Sequence, residues 1–453
     1  MKRRGFMPNV RTYATMMSGY ATVDDWSLFK AQLGWVHIIY RQLKQHLKET
    51  HNLIDGRAGE SNASFILYPI ALYISILGKA GKYRKAFDVF HELDMDGPLA
   101  PHPKVYSCLL SALANRVDAT DVGEEDIENS VSEAKYTWRR HMRSLDKQPQ
   151  HYIEPRSVEA MIKLLSRTPK ISDHLLMFDI LRDICGLPGP DHPPRPPVQK
   201  KVELTSWILN EILDGCLVAG RPDMAVHYAQ SVMDNRVLRP ILRARHLRKL
   251  LSAHITLAKN GLASPSGAEN VAAWVEWMVA QDPARESEIT TPNEQTVVCA
   301  LEFCDRSKDM RSALRIARVM TSDRSQGSIG KRGASFLSRP SFPVKAWEHL
   351  FHLATEAGQD EKRQCFELFN SYGPTRSQVL DVWESTSAID RLAPIEKKTH
   401  MSLARLVVRV FETVLPASDH EGAEKPDAAD LEAWSDIRKR AKSFLEKPVR
   451  RKS

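Results

Sequence analysis

Along residues 72–93, apolar positions fall into two runs of helical spacing separated by a breaker. Leu72, Ile74, Ile76 and Leu77 come first, Gly78-Lys79-Ala80-Gly81 interrupts them, and Ala86, Phe87, Val89, Phe90 and Leu93 then recur at three- and four-residue steps. This spacing predicts two helices joined by a tight turn, because glycine enters the left-handed region that ends a helix at no steric cost. Gly97 and Pro98 close the unit, since proline cannot continue a helix and biases its predecessor toward extended backbone. A further helix follows, with Tyr106, Leu109, Leu110 and Leu113 on one face. The start of the chain reads the same way: residues 5–20 run GFMPNVRTYATMMSGY. One helix pair cannot bury its apolar face alone. A degenerate repeat of pairs therefore predicts a stack with a continuous core and one long exposed face, suited to holding an extended polymer.

Farther along, the pairing continues while turn glycines and junction prolines thin out. Residues 156–166 pair with 173–184, and 205–219 with 224–232 across Ala219-Gly220-Arg221-Pro222; 295–304 pair with 309–320, and 344–356 with 361–370 across Ala357-Gly358. Few segments alternate with the period of two expected of strands, so the predicted class is all-α, an α-solenoid of helix–turn–helix repeats. No apolar run approaches the roughly 18 residues that span a bilayer.

The composition of the intervening segments sets the expected organisation. Residues 1–185 form N-terminal repeats carrying an acidic insertion at 118–128, and 186–199 (GLPGPDHPPRPPVQ) form a proline-rich linker. Residues 200–320 hold divergent central repeats, and 321–343, rich in serine, glycine and basic residues, a mobile linker. Residues 344–416 hold C-terminal repeats, and 417–453 a flexible region with a basic tail.

The repeat resembles the pentatricopeptide repeat, a unit of roughly 35 residues related to the tetratricopeptide repeat. Pro8-Asn9-Val10 ahead of Thr12-Tyr13 is similar to that family's junction. Gly78 to Gly81, Ala86 and Phe90 resemble its inter-helix turn and second-helix packing positions, and Tyr106 repeats the aromatic of Tyr13. The likeness is carried by about the first 115 residues. It points to the mitochondrial type and to a fungal or other non-plant member. Met1-Lys2-Arg3-Arg4-Gly5-Phe6-Met7-Pro8 resembles the end of a repeat's second helix, so the expectation is that the chain starts inside a repeat.

Charge adds a partner class. The formal net charge is +8, and from Asn235 to Ala268 there is no acidic residue, while Arg236, Arg239, Arg243, Arg245, Arg248, Lys249 and Lys259 are present. On a helix, Arg245, Arg248 and Lys249 fall opposite Leu247, Leu250 and Leu251, which makes a candidate phosphate-binding face as well as an ordinary solvated one. A second basic segment, residues 135–143, interleaves Tyr136 and Trp138, whose rings suit stacking on unpaired bases or packing in a core. Arg438-Lys439-Arg440 and Arg450-Arg451-Lys452 form a third cluster, readable as a nuclear import signal, a phosphate-binding arm or a solubilising tail.

Reaction chemistry is not signalled. The six cysteines are scattered without a repeating interval and read as reduced core residues. Gly327-Ser328-Ile329-Gly330-Lys331-Arg332 lacks the spacing of a nucleotide-binding loop, and neither an HExxH zinc motif nor a GxSxG elbow occurs. The expectation is a protein that is not an enzyme and takes neither cofactor nor metal.

What the resemblance implies is single-stranded RNA, a mitochondrial messenger or ribosomal RNA, bound in the mitochondrial matrix in support of RNA maturation, stability or translation. A nuclear address is the alternative location. Carried over by position, the base-facing residues are Asn9 with Ala14, Ala71, and His102 with Ser107, joined by Arg243, Arg245, Arg248 and Lys249 as phosphate contacts. Alanine offers no donor or acceptor at Ala14 and Ala71, so base discrimination there is expected to be weak. The competing reading is a helical scaffold for proteins, such as a factor associated with the mitochondrial ribosome.

Overall fold

The computed structural model describes residues 8–54, 61–94, 100–119, 121–148, 151–190, 202–262, 266–280, 292–321, 342–371, 373–414 and 428–447. The repeat ending at Met1 to Met7, the Gly97-Pro98 closure, the Gly327 to Arg332 loop, Arg450-Arg451-Lys452 and most of the two linkers lie outside these residues. Among the described residues the chain is all-α without strands, and it divides into two compact units, Met1–Tyr228 and Ala229–Ser453.

The N-terminal unit contains α1 (Val10–Ala21), α2 (Lys30–Ile54), α3 (Ser61–Lys79), α4 (Tyr83–His91), α5 (Pro103–Val117), α6 (Glu124–Lys147), α7 (Pro155–Ser166), α8 (Ile171–Asp183) and α9 (Ser206–Val218). The division between the units falls within α10 (Pro222–Asp234). First helices stack in a row, α1 on α3, α3 on α5, α5 on α7 and α7 on α9. Second helices seat between neighbours of that row: α4 packs on α3 and α5, and α6 on α5 and α7. This is solenoid stacking, in which each pair closes the core of the next. The periodic apolar positions read from the sequence supply that core: Ile74, Leu77, Ala86, Phe90, Tyr106 and Leu109 are all buried.

Gly78 and Gly81 divide two tasks. Gly78 lies inside α3 against α5, where an added Cβ would meet the Ala112 Cβ at 2.5 Å and its Cα at 2.9 Å, so two small residues let the backbones nearly touch. Gly81 holds φ at +69° and ends the helix, with the Lys82 N–H donating to the Leu77 carbonyl at 2.8 Å. The same six-residue closure recurs at Gly220, Gly261 and Lys308, through Arg221 to Cys216, Leu262 to Leu257 and Asp309 to Cys304. Lys308 adopts φ +55° there without glycine's freedom.

The C-terminal unit contains α11 (Ala244–Lys259), α12 (Gly267–Ala280), α13 (Glu294–Ser307), α14 (Met310–Thr321), α15 (Val344–Glu356), α16 (Gln359–Ser371), α17 (Gly373–Glu384), α18 (Thr386–Arg391), α19 (Pro394–Val414) and α20 (Ala428–Glu446). First helices again form a row, α11, α13, α15 and α19, and here α12, α14 and α16 also pack in succession. Asn293 caps α13 as Asn9 caps α1: each side-chain oxygen accepts from a backbone N–H three residues on, at Thr296 (2.9 Å) and Thr12 (3.0 Å), and from that threonine's hydroxyl.

Two segments differ from expectation. The acids of 118–128 are not all insertion: Glu124, Glu125 and Asp126 form the first turn of α6, where negative charge complements the helix dipole, and Asp126 pairs with Arg116. Within 417–453, residues Ala428–Glu446 are helix α20 rather than a flexible tail. Trp434, Ile437, Ala441 and Phe444 recur at helical spacing and are buried, an apolar stripe masked in the sequence by the basic residues between them.

Candidate binding face

Buried positions set a common register along the first-helix row of the N-terminal unit. Tyr13 and Met17, Ile70 and Ile74, Tyr106 and Leu110, Val158 and Ile162, and Leu209 and Leu213 correspond. In that register Ala14, Ala71 and Ser107 align with Glu159 and Asn210. One turn farther along lie Ser18, Ser75, Ser111, Lys163 and Asp214, all at least partly accessible. A groove of about 260 Å³ runs over this face, lined by side chains of α3, α5, α7 and α9, including Ser75, Ser111, Asn115, Arg156, Glu159 and Lys163.

The groove's polar groups are of two kinds. Lys79 donates to Asp24 at 2.6 Å and to the Ala21 carbonyl at 2.9 Å, and Lys163 pairs with Asp118. By contrast, Ser75, Ser111 and Asn115 make no side-chain hydrogen bond among the described residues, and Arg156 makes no ion pair among them. Hydroxyls and an amide placed on adjacent helices can therefore bond only to water or to a ligand. At the α7–α9 end, burial raises the Glu159 carboxyl above its ordinary range; the Glu211 charge adds to this and Arg156 opposes it. Burial also pushes the Cys108 thiol up to about 11, so it faces the groove as a neutral group.

The residues expected to face a base are placed differently. Ala14 and Ala71 are buried, and the Ser107 side chain belongs to a residue only 1% exposed, so none is presented to the groove. The reason is the close stacking of α1, α3 and α5, which encloses this register there; its counterpart on α7, Glu159, is partly accessible and lines the groove. Asn9 is exposed, but its oxygen is committed to the α1 cap. His102 caps α5, accepting from the Lys104 N–H at 3.3 Å, and burial lowers its pKa. Ser75 and Ser111 were missed in the sequence, although they stand 36 residues apart at one repeat's spacing.

The basic run gathers on α11 of the other unit, yet much of it serves local structure. Arg239 donates to the Met233 carbonyl at 2.6 Å, and Arg243 to the Pro240 and Leu242 carbonyls at 2.7 and 2.8 Å. Arg245 and Lys249 are half-buried, and Arg248 alone of Arg243, Arg245, Arg248 and Lys249 is exposed. The neighbouring face of α13 and α15 is closed by its own charges. Asp305 accepts from His349 at 3.0 Å and His352 at 2.6 Å, Glu302 pairs with Arg306, and Lys345 with Glu348.

Among the described residues, no three His, Cys, Asp or Glu side chains are grouped to hold a metal ion, and no helix is long and apolar enough to cross a membrane. No protein-family profile matches the chain, and no curated protein matches it. Among solved structures, the crystal structure of the pentatricopeptide repeat protein PPR10 from maize aligns at a TM-score of 0.29 and 12% identity. The alignment covers 97% of this chain and 65% of that one, so this chain spans less than two thirds of that protein's length. The helical-repeat assignment accordingly rests on the stacking described above.

Proposed function

We propose that the chain binds single-stranded RNA along the first-helix face of its N-terminal unit. The observation that carries this reading is the set Ser75, Ser111 and Asn115, without side-chain hydrogen bonds among the described residues and placed on two adjacent helices of a stack, with Arg156 beside them. Successive first helices repeat at roughly 10 Å, which offers contacts in series to an extended chain. Hydroxyl and amide groups suit sugar hydroxyls, phosphate oxygens and base edges alike, and the ribose 2′-hydroxyl is the group by which RNA differs from DNA. The resemblance of the repeat extends the proposal to transcripts of the mitochondrion and to support of their maturation, stability or translation. Imaging of a fluorescent fusion tests that location, and purely nuclear signal argues against it.

The direct test is fluorescence anisotropy of labelled RNA at graded salt. Binding through several phosphates loses affinity steeply as salt rises, and undetectable binding at low salt sinks the RNA reading. The scaffold reading then leads. It has its own support in α2 and the turn before it, where Leu28, Phe29, Trp35 (61% exposed) and Ile38 expose apolar surface suited to a protein partner, such as a mitochondrial ribosome-associated factor.

A further inference from the structure

The second-helix layer of the N-terminal unit carries an aromatic, cationic surface that the groove does not use. On α6, Trp138 is buried, whereas Tyr136 is 43% exposed. The ring is held in place: Arg140 donates to its hydroxyl at 2.9 Å, with the guanidinium carbon 5.2 Å from the ring centroid and 5.7 Å from that of Phe90. His91 of α4 borders it at 5.9 Å. Three and seven residues on, Arg139 and Arg143 are exposed and make no ion pair among the described residues. Lys135, on the same helix, is instead spent on Asp173 at 2.7 Å.

Charge on α6 is segregated, with acids in its first turn and Arg139, Arg140, Arg143 and Lys147 toward its end against Asp146 alone. The helix dipole accounts for cations in the last turn. It does not account for an exposed ring, fixed in orientation and followed along the helix by two guanidinium groups that make no ion pair among the described residues. A fixed ring face accepts any base by stacking, and guanidinium groups at helical spacing on one side of it accept the phosphates that follow. We propose that this face of α6 is a second contact for single-stranded RNA, with one base stacked on Tyr136 and successive phosphates to one side of it on Arg139 and Arg143. The inference rests on the RNA reading above but uses a different layer of the fold, so the two are separable.

The experiment uses the full chain and fluorescein-labelled oligouridine of about 20 nucleotides in low salt, with 5-iodouridine crosslinking mapped by mass spectrometry. Tyr136→Ala weakens binding roughly tenfold, and Tyr136→Phe, which keeps the ring, weakens it much less. The pair Arg139→Gln and Arg143→Gln lowers the log–log salt slope by roughly 1.4, the loss of two phosphate contacts on a single strand. The crosslink maps to the α6 peptide. Arg139 and Arg143 are exposed and make no ion pair among the described residues, so their variants leave the thermal midpoint unchanged; Tyr136→Ala also removes the Arg140 contacts and lowers it slightly, and a larger fall in either marks a folding defect. If both sets of variants bind as wild type and no α6 crosslink forms, while Ser75→Ala, Ser111→Ala and Asn115→Ala together abolish binding, the α6 contact is refuted and the groove stands. If the groove variants bind normally and the α6 variants do not, the reverse holds. Absence of any binding by the wild-type chain refutes both.

Discussion

The exposed faces of the two first-helix rows are built on the same helix-pair packing but satisfy their polar groups differently. Over α3 and α5, hydroxyl and amide groups have no side-chain partner among the described residues, and of the groove's cations Lys79 and Lys163 are paired while Arg156 makes no ion pair among them. Over α13 and α15, the carboxylates of Glu302, Asp305, Glu348 and Glu356 each meet a cation or imidazole of the same face. A face that satisfies itself gains rigidity and loses reasons to bind; a face with free groups does the opposite. Buried or enclosed polar groups cost free energy when they lack partners, so free ones persist on a surface where water or a ligand reaches them.

The largest expected effect concerns the packing that creates the groove. Gly78→Ala places a Cβ against the Ala112 backbone and destabilises the N-terminal unit by about 2–3 kcal/mol, the upper part of the usual range for overpacking. Gly267→Ala in the C-terminal unit meets the tip of Phe303 at 3.1 Å and the His254 ring at 3.2 Å, contacts looser than those at Ala112, and should cost less, about 1 kcal/mol. Urea unfolding of both variants checks this. Equal losses would show that the contact of α12 with α11 and α13 is as rigid as that of α3 with α5.

Next comes Asp305→Ala, which takes one acceptor from two imidazoles and should cost about 1–3 kcal/mol. Its pH dependence has a definite sign. Burial pushes the Asp305 carboxyl up, but the bonds from His349 and His352 outweigh it and hold the pKa below the ordinary 3.8. The stability it contributes is therefore present above that value and lost as pH falls through the depressed one. Glu159 in the groove works in the opposite sense. Its folded pKa lies above the ordinary 4.5, so its contribution is present below that value and lost as pH rises through the raised one. Asp305→Asn should flatten the acid limb of the stability profile, and Glu159→Gln should raise stability at neutral pH. Matching signs in the two variants would contradict the contrast between the faces.

A smaller effect is expected from the groove variant combining Ser75→Ala, Ser111→Ala and Asn115→Ala. It removes no internal bond among the described residues, so stability should be unaffected while RNA affinity falls about ten- to hundredfold, at roughly 0.5–1 kcal/mol per lost bond. Anisotropy alongside a thermal melt separates the two readouts. Lost stability with unchanged affinity would mean that the side chains pack rather than bind.

Much of the helix pairing was legible because apolar spacing and glycine turns speak directly: Ile74, Leu77, Phe90 and Tyr106 are core, and Gly81 and Gly220 end helices as expected. Legibility failed where the same physics used other residues. Lys308 ends α13 in the left-handed geometry usually left to glycine, and Asn293 repeats the Asn9 cap far from the recognised repeats. Helix α20 was hidden because Arg438, Lys439 and Arg440 dominate its composition while its stripe is only four residues deep. The site was less legible than the fold. Charge run and side-chain type pointed to α11, but whether an arginine faces solvent or caps a carbonyl depends on the turn preceding the helix, as Arg239 and Arg243 show.

The smallest expected effect discriminates between neighbouring turns of one helix. Ser107 holds the position that the resemblance marks for reading a base, and Ser111 lies one turn on; the former is buried and the latter lines the groove. If the groove binds RNA as the helices are stacked here, Ser107→Ala changes affinity less than about twofold, whereas Ser111→Ala alone costs about three- to tenfold, one hydrogen bond's net contribution. Both substitutions remove a single oxygen and leave the backbone untouched, so the comparison isolates presentation from chemistry. A Ser107→Ala loss exceeding that of Ser111→Ala would mean that α3, α5 and α7 part when RNA binds, exposing the Ser107 position that is closed in the free chain, and the groove as described would then be the resting form of a face that opens.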